Sequence, residues 1–218
     1  MSVENVRAAK AHTRYKTSDG KQVPGVTTII GILNKPALVK WANNLGLQGI
    51  DSSRYVDKMA SIGTLAHYMI QCHLAGEVPD FSAYSPEEVE KANNSLKSYH
   101  AWESQHTLKP LLCEAPLVSE QYRFGGTIDC YCTLNGITTL LDFKTSKAIY
   151  PEHIVQVAAY RMLLREHGYP TEVVRVLQIG RDESEGFSEK VLTETADHWR
   201  VFELCREIYD LKRKVGIA

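Results

Sequence analysis

The chain has 218 residues, 44% of them apolar and 23% charged, which are ordinary values for a globular protein and exclude a disordered, collagen-like or coiled-coil chain. No stretch approaches the run of about 20 apolar residues that spans a bilayer, and residues 1–10 lack the apolar core of a signal peptide, so we expect a cytoplasmic protein with no membrane partner. The formal net charge of −1 excludes a protein that binds nucleic acid through an overall basic excess, although it is compatible with a local basic groove.

The first half of the chain is predicted to be mainly helical. The Asp-Gly pair within residues 18–20 favours a small hairpin between two short extended segments. Capping side chains and proline mark helix starts, and glycine marks a helix end. These signals predict, in order, a hairpin over residues 12–26, a short helix capped by Thr27 or Thr28 and ending at Leu33, a helix over 36–45, a long helix capped by Asp51 or Ser52, reaching Ala75 and stopped by Gly76, and a helix from Ser85 to about Gln105.

The second half alternates between strands and helices. Three strand-like segments precede a helix that is apolar nearly all round, which indicates a helix packed on a sheet. The predicted elements are strands over residues 111–119, 126–134 and 137–143, a helix over 151–168, strands over 172–180 and 186–192, and a last helix capped by Thr193 and ending near Lys214. We therefore predict an α/β fold in a single domain over residues 1–218, with a mainly helical N-terminal lobe over 1–108 and an α/β core over 109–218.

The five cysteines are Cys72, Cys113, Cys130, Cys132 and Cys205. An odd number with irregular spacing does not form a disulfide framework. No Cys-x-x-Cys pair exists, so the sequence gives no support for a structural zinc site or an iron–sulfur cluster. We expect these residues to be free thiols, and mostly buried.

The most informative feature is a pair of aspartates in neighbouring strands. Asn135-Gly136 is the preferred pair for a two-residue type I′ hairpin turn, and this turn would place Leu134 opposite Ile137. In the same register Asp129 lies opposite Asp142, so that both carboxylates point to one face with their Cβ atoms about 5 Å apart. Two like charges in apolar strands are destabilising, and a divalent cation would compensate them.

Lys144 shares this face because it lies two residues beyond Asp142. Carboxylate oxygens with water are the usual ligands of Mg²⁺, and the backbone carbonyl of Phe143 is within reach of the same ion. An ammonium beside metal-bound carboxylates can orient or activate a water molecule, or stabilise a developing oxyanion. The alternative is a purely structural Asp–Lys pair on an open sheet face, and the hairpin by itself leaves these two interpretations about equally supported.

Gln156 and Tyr160 are the polar exceptions on the apolar helix that follows, and they share one helix face. Together the segments Gly126-Thr127-Ile128-Asp129, Leu141-Asp142-Phe143-Lys144 and Gln156-Val157-Ala158-Ala159-Tyr160, preceded by His67 in the predicted long helix, resemble the RecB-like branch of the PD-(D/E)xK nuclease superfamily, which includes phage-type exonucleases. The resemblance implies a restriction-endonuclease-like fold, a central mixed β-sheet flanked by helices.

The resemblance also implies roles for individual residues. His67, Asp129 and Asp142 would bind the metal ion, Lys144 would be the catalytic lysine, and Gln156 and Tyr160 would position that lysine or touch nucleic acid. An acidic residue on the preceding strand is also expected, with Glu114 as the candidate and Glu120 as its rival; Thr145 and Ser146 follow the lysine closely enough to contact a phosphate. The cysteine cluster of Cas4-like members with an iron–sulfur cluster is absent, since the C-terminal part has only Cys205.

The expected activity is hydrolysis of DNA with one or two Mg²⁺ or Mn²⁺ ions, in replication, recombination or repair, and the resemblance favours an exonuclease. The protein would act alone or with replication or recombination partners in trans. Lys147, Arg123 and Arg161 are candidates for contacts with the DNA backbone. Trp41 or Tyr68 would stack on a strand end unless they belong to the core, which is the commoner case. The alternatives are a non-catalytic nucleic-acid-binding or assembly protein on the same fold, and a hydrolase of another class.

Overall fold

The computed structural model describes residues 13–33 and 35–217. A five-stranded sheet forms its centre, with a two-stranded hairpin beside it. The strands are β1 (Tyr15–Lys16), β2 (Gln22–Val23), β3 (Leu108–Ser119), β4 (Phe124–Leu134), β5 (Ile137–Lys144), β6 (Val173–Ile179) and β7 (Phe187–Leu192). The helices are α1 (Val26–Ile30), α2 (Pro36–Leu47), α3 (Ser52–Ala75), α4 (Pro86–Glu103), α5 (Pro151–Glu166) and α6 (Ala196–Val215).

The strands of the central sheet follow one another in the order β3-β4-β5-β6-β7. Neighbouring strands are antiparallel except β5 and β6, which run parallel because α5 connects them as a crossover. This is a mixed sheet flanked by helices, preceded in the chain by the helical segment α2–α4, and it confirms the predicted fold class.

Two hydrophobic cores cover the two faces of the sheet. The α5-side core lies between the sheet and helices α1, α5 and α6, and the α3/α4-side core lies between the sheet and helices α3 and α4. Buried sheet residues of the first are Phe124, Ile128, Tyr131, Leu140, Val174 and Val176, and those of the second are Cys130, Cys132, Leu134, Leu141, Phe143, Leu177 and Ile179. A cluster around Leu65 and Met69 joins α3 to α4.

The helix signals in the first half of the sequence are confirmed where they are local. The carboxylate of Asp51 accepts from the backbone N–H groups of Ser53 and Arg54, and α3 ends at Gly76, whose φ of 71° is left-handed. Ser85 and Glu88 form a capping box at the start of α4. These interactions join residues within one turn, so the sequence alone locates them.

Two helix starts differ from the prediction. The short helix α1 begins after Gly25 instead of being capped by Thr27 or Thr28, because the preceding backbone is pinned to β4 by the hydrogen bond from Gly125 N to the Pro24 carbonyl. The last helix begins after Thr195 instead of Thr193. The Thr193 carbonyl accepts from the Arg161 guanidinium at 2.6 Å. The hairpin is shorter than predicted, and His12 lies outside the described residues.

The five cysteines are free thiols, as predicted, and four of them are buried while Cys113 is half-buried. Within the described residues, no helix combines the length and the apolar content that a membrane span requires.

Glu88 ties the first turn of α4 to α3. Its carboxylate accepts from the Ser61 hydroxyl at 2.5 Å and from the Ser85 hydroxyl at 2.7 Å, and these hydrogen bonds lower the pKa of Glu88 from 4.5 to about 2. A carboxylate whose pKa is lowered on folding stabilises the protein above its unfolded-state pKa and loses that effect as the pH falls through its folded-state pKa.

We therefore expect Glu88→Gln to be less stable than the parent at neutral pH, with a difference that shrinks as the pH falls from 4.5 towards 2. Urea unfolding of both proteins across this range measures the effect. Glu90→Gln, at an exposed position of the same helix, serves as the control. A stability difference for Glu88→Gln that is independent of pH would contradict the prediction.

Candidate active site

The predicted register of the β4–β5 hairpin is confirmed up to the edge of the site. Asn135 and Gly136 have φ angles of 51° and 85°, the two positive values that a type I′ turn requires. Pairing runs from Leu134↔Ile137 to Cys130↔Leu141 and ends there. The pair that would follow, Asp129 with Asp142, is not part of the ladder.

Strand β4 changes phase at Asp129. Ile128 belongs to the α5-side core and Cys130 to the α3/α4-side core, although residues two apart on a regular strand share a face. The Asp129 carboxylate instead accepts from the backbone N–H of Phe143 at 2.8 Å. The side chain thus binds a backbone group that a regular ladder would use, and the direct pairing of Asp129 with Asp142 that the register predicted is not found.

Strand β3 changes phase beside it, at Glu114. Leu112 and Ala115 both pack against the α5-side core although they are three residues apart. Glu114 between them has a φ of 46°, a left-handed conformation that non-glycine residues rarely adopt and that is enriched at functional sites. The two irregularities lie side by side and bring the carboxylates of Glu114 and Asp129 together.

His67 of α3 faces both of these carboxylates. Its Nδ1 lies 3.6 Å from Asp129 Oδ2 and 3.8 Å from Glu114 Oε1, and one ligand atom from each of the three residues lies within 4.8 Å of the others. Glu120, the rival of Glu114, is elsewhere: its carboxylate accepts from Ser18 N at 2.6 Å. Within the described ranges, Glu114 is therefore the acidic residue of β3 that joins the predicted histidine and aspartate.

Asp142 and Lys144 form a buried ion pair next to this group. Lys144 Nζ lies 2.5 Å from Asp142 Oδ2, and the two side chains are 15% and 0% exposed. Among the described residues, the Lys144 ammonium is the charged partner of this carboxylate. The other oxygen, Asp142 Oδ1, is buried and accepts no hydrogen bond from them. A carboxylate oxygen left in this state is costly and is suited to a cation.

The charges in the site shift each other's pKa. Burial by itself lowers the pKa of His67, but the negative charges of Asp129 and Glu114 outweigh it and raise the pKa to about 9. Burial raises the pKa of Asp142 to about 6 against the opposing charge of Lys144. Burial opposes the charged form of Lys144, yet the carboxylates of Asp142 and Asp129 raise its pKa. Without a metal ion, the site therefore holds Lys144 as an ammonium.

Tyr160 of α5 lies close enough to the site for Asp142 and Asp129 to affect its pKa, and Gln156 lies beside it on the same helix. The Gln156 amide donates to the Tyr160 hydroxyl at 2.8 Å, and both residues are buried. Burial raises the pKa of Tyr160 far above its ordinary value, and the charges of Asp142 and Asp129 add to the effect. The Tyr160 ring reaches this position because it packs against Gly126, where a β-carbon would lie 2.5 Å from Tyr160 Cε1.

A methyl group at Gly126 should therefore disturb both the fold and the site. We expect Gly126→Ala to lower the free energy of unfolding by about 1–3 kcal/mol, the usual effect of overpacking, and to displace the Tyr160 ring. Gly46→Ala is the control, because the α2 position has nothing within 4 Å. Urea unfolding measures both; equal stability of the two variants would contradict the close packing of Tyr160 on β4.

Two residues near the site were not singled out in the sequence. Tyr15 packs its ring on Gly125, its hydroxyl lies 2.9 Å from Thr127 Oγ1, and its pKa is raised by burial and, in part, by Glu114 and Asp129. His153 of α5 has its pKa lowered to about 4 by burial and by the charge of Lys144. The Gly125-Gly126 pair within a strand was the available signal for the first, since strand glycines mark close approach of other groups.

The remaining predicted site residues have local partners. Thr145 approaches α3, and a β-carbon at Gly63 would lie 3.0 Å from its Oγ1. Ser146 donates its hydroxyl to the Ala148 carbonyl at 2.8 Å. The N–H of Phe143 points towards β4, and its carbonyl points the same way because both groups of a strand residue face one neighbour. That carbonyl emerges where the β4–β5 ladder has ended.

Some of the residues predicted to contact DNA are bound to other parts of the protein, and others are exposed to solvent. Arg161 is bound by the carbonyls of Thr193 and Thr171, and Arg123 pairs with Asp19 and Glu120. Both have structural partners, whereas Lys147 is exposed. Of the two aromatic candidates, Tyr68 is 5% exposed and belongs to the core, while Trp41 is 36% exposed.

The donor set fits a divalent cation. His67, Glu114 and Asp129 bring one imidazole nitrogen and two carboxylates together from α3, β3 and β4. The carboxylate of Asp142 on β5 lies close enough for the charges of Asp129 and His67 to affect its pKa. Oxygen-rich sets with few nitrogens suit Mg²⁺ or Mn²⁺. The buried Asp142 Oδ1, which accepts no hydrogen bond from the described residues, is consistent with a cation at this place.

No family model and no curated protein matches the chain. Among solved structures, the chain is similar to an alkaline exonuclease (LHK-Exo) from Laribacter hongkongensis, at 10% identity and a TM-score of 0.46 over 88% of each chain. A structure of LHK-Exo in complex with dAMP matches at 13% identity and a TM-score of 0.39, over 73% of this chain and 91% of that one. The protein SSO0001 matches at 15% identity and a TM-score of 0.34, over 71% and 75%. At such identities and scores, none of the three transfers residue roles to this chain.

Proposed function

We propose that this protein is a metal-dependent deoxyribonuclease of the RecB-like type, with a single nuclease domain over residues 1–218. It would hydrolyse phosphodiester bonds as an exonuclease, starting from DNA ends. The observation that carries the proposal is the convergence of His67, Glu114 and Asp129, from three different elements, beside the buried pair of Asp142 and Lys144. A structural ion pair on an open sheet face would need neither the left-handed Glu114 nor a histidine from α3.

His67, Asp129, Asp142, Glu114 and the carbonyl of Phe143 are the groups that would hold one or two Mg²⁺ or Mn²⁺ ions. When bound, such an ion lowers the pKa of its water and neutralises phosphate charge. The protein holds these ligand atoms in place. The backbone N–H of Phe143 orients the Asp129 carboxylate by a hydrogen bond, and the packing around Asp142 excludes water from its carboxylate.

Lys144 is the proposed catalytic residue beside the ion. Water attacks the phosphorus, the bond to the leaving oxygen breaks, and negative charge builds up on the phosphate oxygens. An ammonium already fixed by Asp142 stabilises this charge without reorganising during the reaction. The raised pKa of Lys144 favours this role over that of a proton acceptor.

Gln156 and Tyr160 would complete the site from α5, as groups that position Lys144 or contact the nucleic acid. Thr145 and Ser146 would contact a phosphate next to the scissile one, and Lys147, exposed beyond them, would follow the DNA backbone. We assign DNA as the substrate and replication, recombination or repair as the process from the resemblance of the motifs. Protein partners in these processes would act in trans.

The test is degradation of end-labelled single- and double-stranded linear DNA, with circular DNA and RNA in parallel, in Mg²⁺, Mn²⁺ or EDTA. We expect degradation of linear DNA that requires metal, leaves circles intact and is lost in Asp142→Asn. Asp57→Asn, at an exposed position of α3, is the control. Metal-dependent nicking of circular DNA would show that the protein is an endonuclease and not an exonuclease. Binding to DNA without cleavage under any condition would instead indicate a non-catalytic nucleic-acid-binding protein.

A further inference from the structure

A second group of side chains with potential metal ligands joins α3 to α4 outside the candidate active site. His73 Nε2 lies 2.8 Å from Glu103 Oε2, and His100 Nδ1 lies 3.4 Å from the same oxygen. One ligand atom from each residue lies within 4.8 Å of the others, and the two imidazole rings meet edge to face with centroids 4.5 Å apart. Three potential ligands from two helices thus point at one spot.

The spacing of these atoms is close to that around a single ion: the distance from His100 to Glu103 fits, and the distance from His73 to Glu103 is shorter by about 0.5 Å. Bonds of about 2.0–2.1 Å to nitrogen and oxygen in a tetrahedral site leave neighbouring ligand atoms about 3.3 Å apart. His100 and Glu103 reach one side of α4 because they are three residues apart, and α3 supplies His73 from across the helix pair. Small side-chain rotations would separate His73 from Glu103 enough to admit an ion between them.

A further hydrogen bond supports the carboxylate. The buried Tyr99 donates its hydroxyl to Glu103 Oε1 at 2.9 Å, which leaves Oε2 to face the two histidines. Outer partners of this kind orient ligating carboxylates in metal sites. The cluster is also open to solvent, since the side chains of His73, His100 and Glu103 are 39%, 43% and 25% exposed, so an ion has a path of entry.

We propose that His73, His100 and Glu103 form a second metal site, which takes a transition-metal ion of the Zn²⁺ class and clamps α3 to α4, with water as the fourth ligand. Two imidazoles and one carboxylate form an established zinc ligand set. Imidazole nitrogens select such ions over Mg²⁺, which prefers oxygen. The site is thus chemically distinct from the oxygen-rich candidate active site, and it does not depend on the proposed nuclease activity.

The clamp would act on the helix that carries His67. Tyr99, which supports Glu103, meets the ring of Phe143 edge-on with centroids 5.6 Å apart, and Phe143 meets the ring of His67 at 5.9 Å. A packed path of side chains therefore joins the two sites. We expect the bound ion to stabilise α3 and α4 as a pair.

Zinc titration of the intact protein in excess Mg²⁺ tests the site, with bound zinc counted by calorimetry and the Tm recorded. The candidate active site also contains a histidine, so the informative quantity is the difference between parent and variant. We expect the parent to bind one zinc ion more than His73→Ala or His100→Ala. At free zinc about a hundredfold above Kd, its Tm should rise by about 5–10 °C more than that of either variant.

His198→Ala, which removes a histidine from α6, is the matched control and should behave as the parent does. Glu103→Gln should lose most of the zinc affinity, and activity on DNA in Mg²⁺ without zinc should be unchanged in His100→Ala. Equal zinc stoichiometry and equal Tm shifts in the parent, His73→Ala and His100→Ala would overturn the proposal and leave a hydrogen-bonded His–Glu cluster.

Discussion

Replacing Lys144 with methionine is expected to reduce the rate of DNA hydrolysis by about a thousandfold, the effect of removing one preorganised group that stabilises transition-state charge. Methionine keeps the apolar stem of the buried side chain and removes the ammonium. Asp142 then loses its partner, but its pKa is already raised to about 6. Loss of the lysine charge raises it further, so the carboxyl takes up a proton and the protein stays folded.

Single-turnover cleavage of end-labelled DNA measures the loss, and circular dichroism with thermal unfolding checks the fold. Lys147→Met is the matched control: it removes an exposed lysine three residues further on and should change the rate only slightly. A Lys144→Met protein that is folded and within a few-fold of the parent rate would remove Lys144 from the catalytic machinery.

Asp129→Asn is expected to weaken Mg²⁺ or Mn²⁺ binding by at least about a hundredfold, since even partners outside the ligand shell contribute ten- to a hundredfold, and to reduce cleavage accordingly. The amide oxygen of asparagine can still accept from Phe143 N, as the carboxylate does at 2.8 Å. The local backbone is therefore preserved while the negative charge that faces His67 at 3.6 Å is lost.

Metal affinity is measured by calorimetry and by the Mn²⁺ concentration that gives half-maximal cleavage. A partial return of activity at high Mn²⁺ would agree with a weakened ligand. Asp57→Asn, on the exposed side of α3, should leave both quantities unchanged. Unaltered metal affinity in folded Asp129→Asn would show that this carboxylate is not a ligand, and the candidate metal centre would have to be reassigned.

Much of the fold follows from local signals in the sequence. Asp51 and Gly76 mark the ends of α3 because their hydrogen bonds and backbone conformation involve only neighbouring residues. The Asn135-Gly136 turn sets the register of β4 and β5 for the same reason. Helix starts that depend on distant partners were missed: α6 begins at Ala196 where Arg161 holds the Thr193 carbonyl.

Some residues of the candidate site could also be predicted from local signals in the sequence. The spacing of Asp142 and Lys144 on one strand was enough to predict that they share a face, because alternation along a strand is a local property. His67, Gln156 and Tyr160 were selected through the resemblance of their motifs to a nuclease family, and their roles stay predictions until variants are tested.

Only the tertiary structure decided how these pieces meet. The phase changes at Glu114 and Asp129 lie at neighbouring positions of β3 and β4 that are left out of the strand pairing, and no pattern within one strand reveals them. The choice of Glu114 over Glu120 depends on the distance to His67 across the chain. The cluster of His73 with Glu103 likewise exists only because α3 packs on α4. Periodicity and capping are interactions between residues a few positions apart, whereas a site is made of residues that are distant in the sequence and brought together by folding.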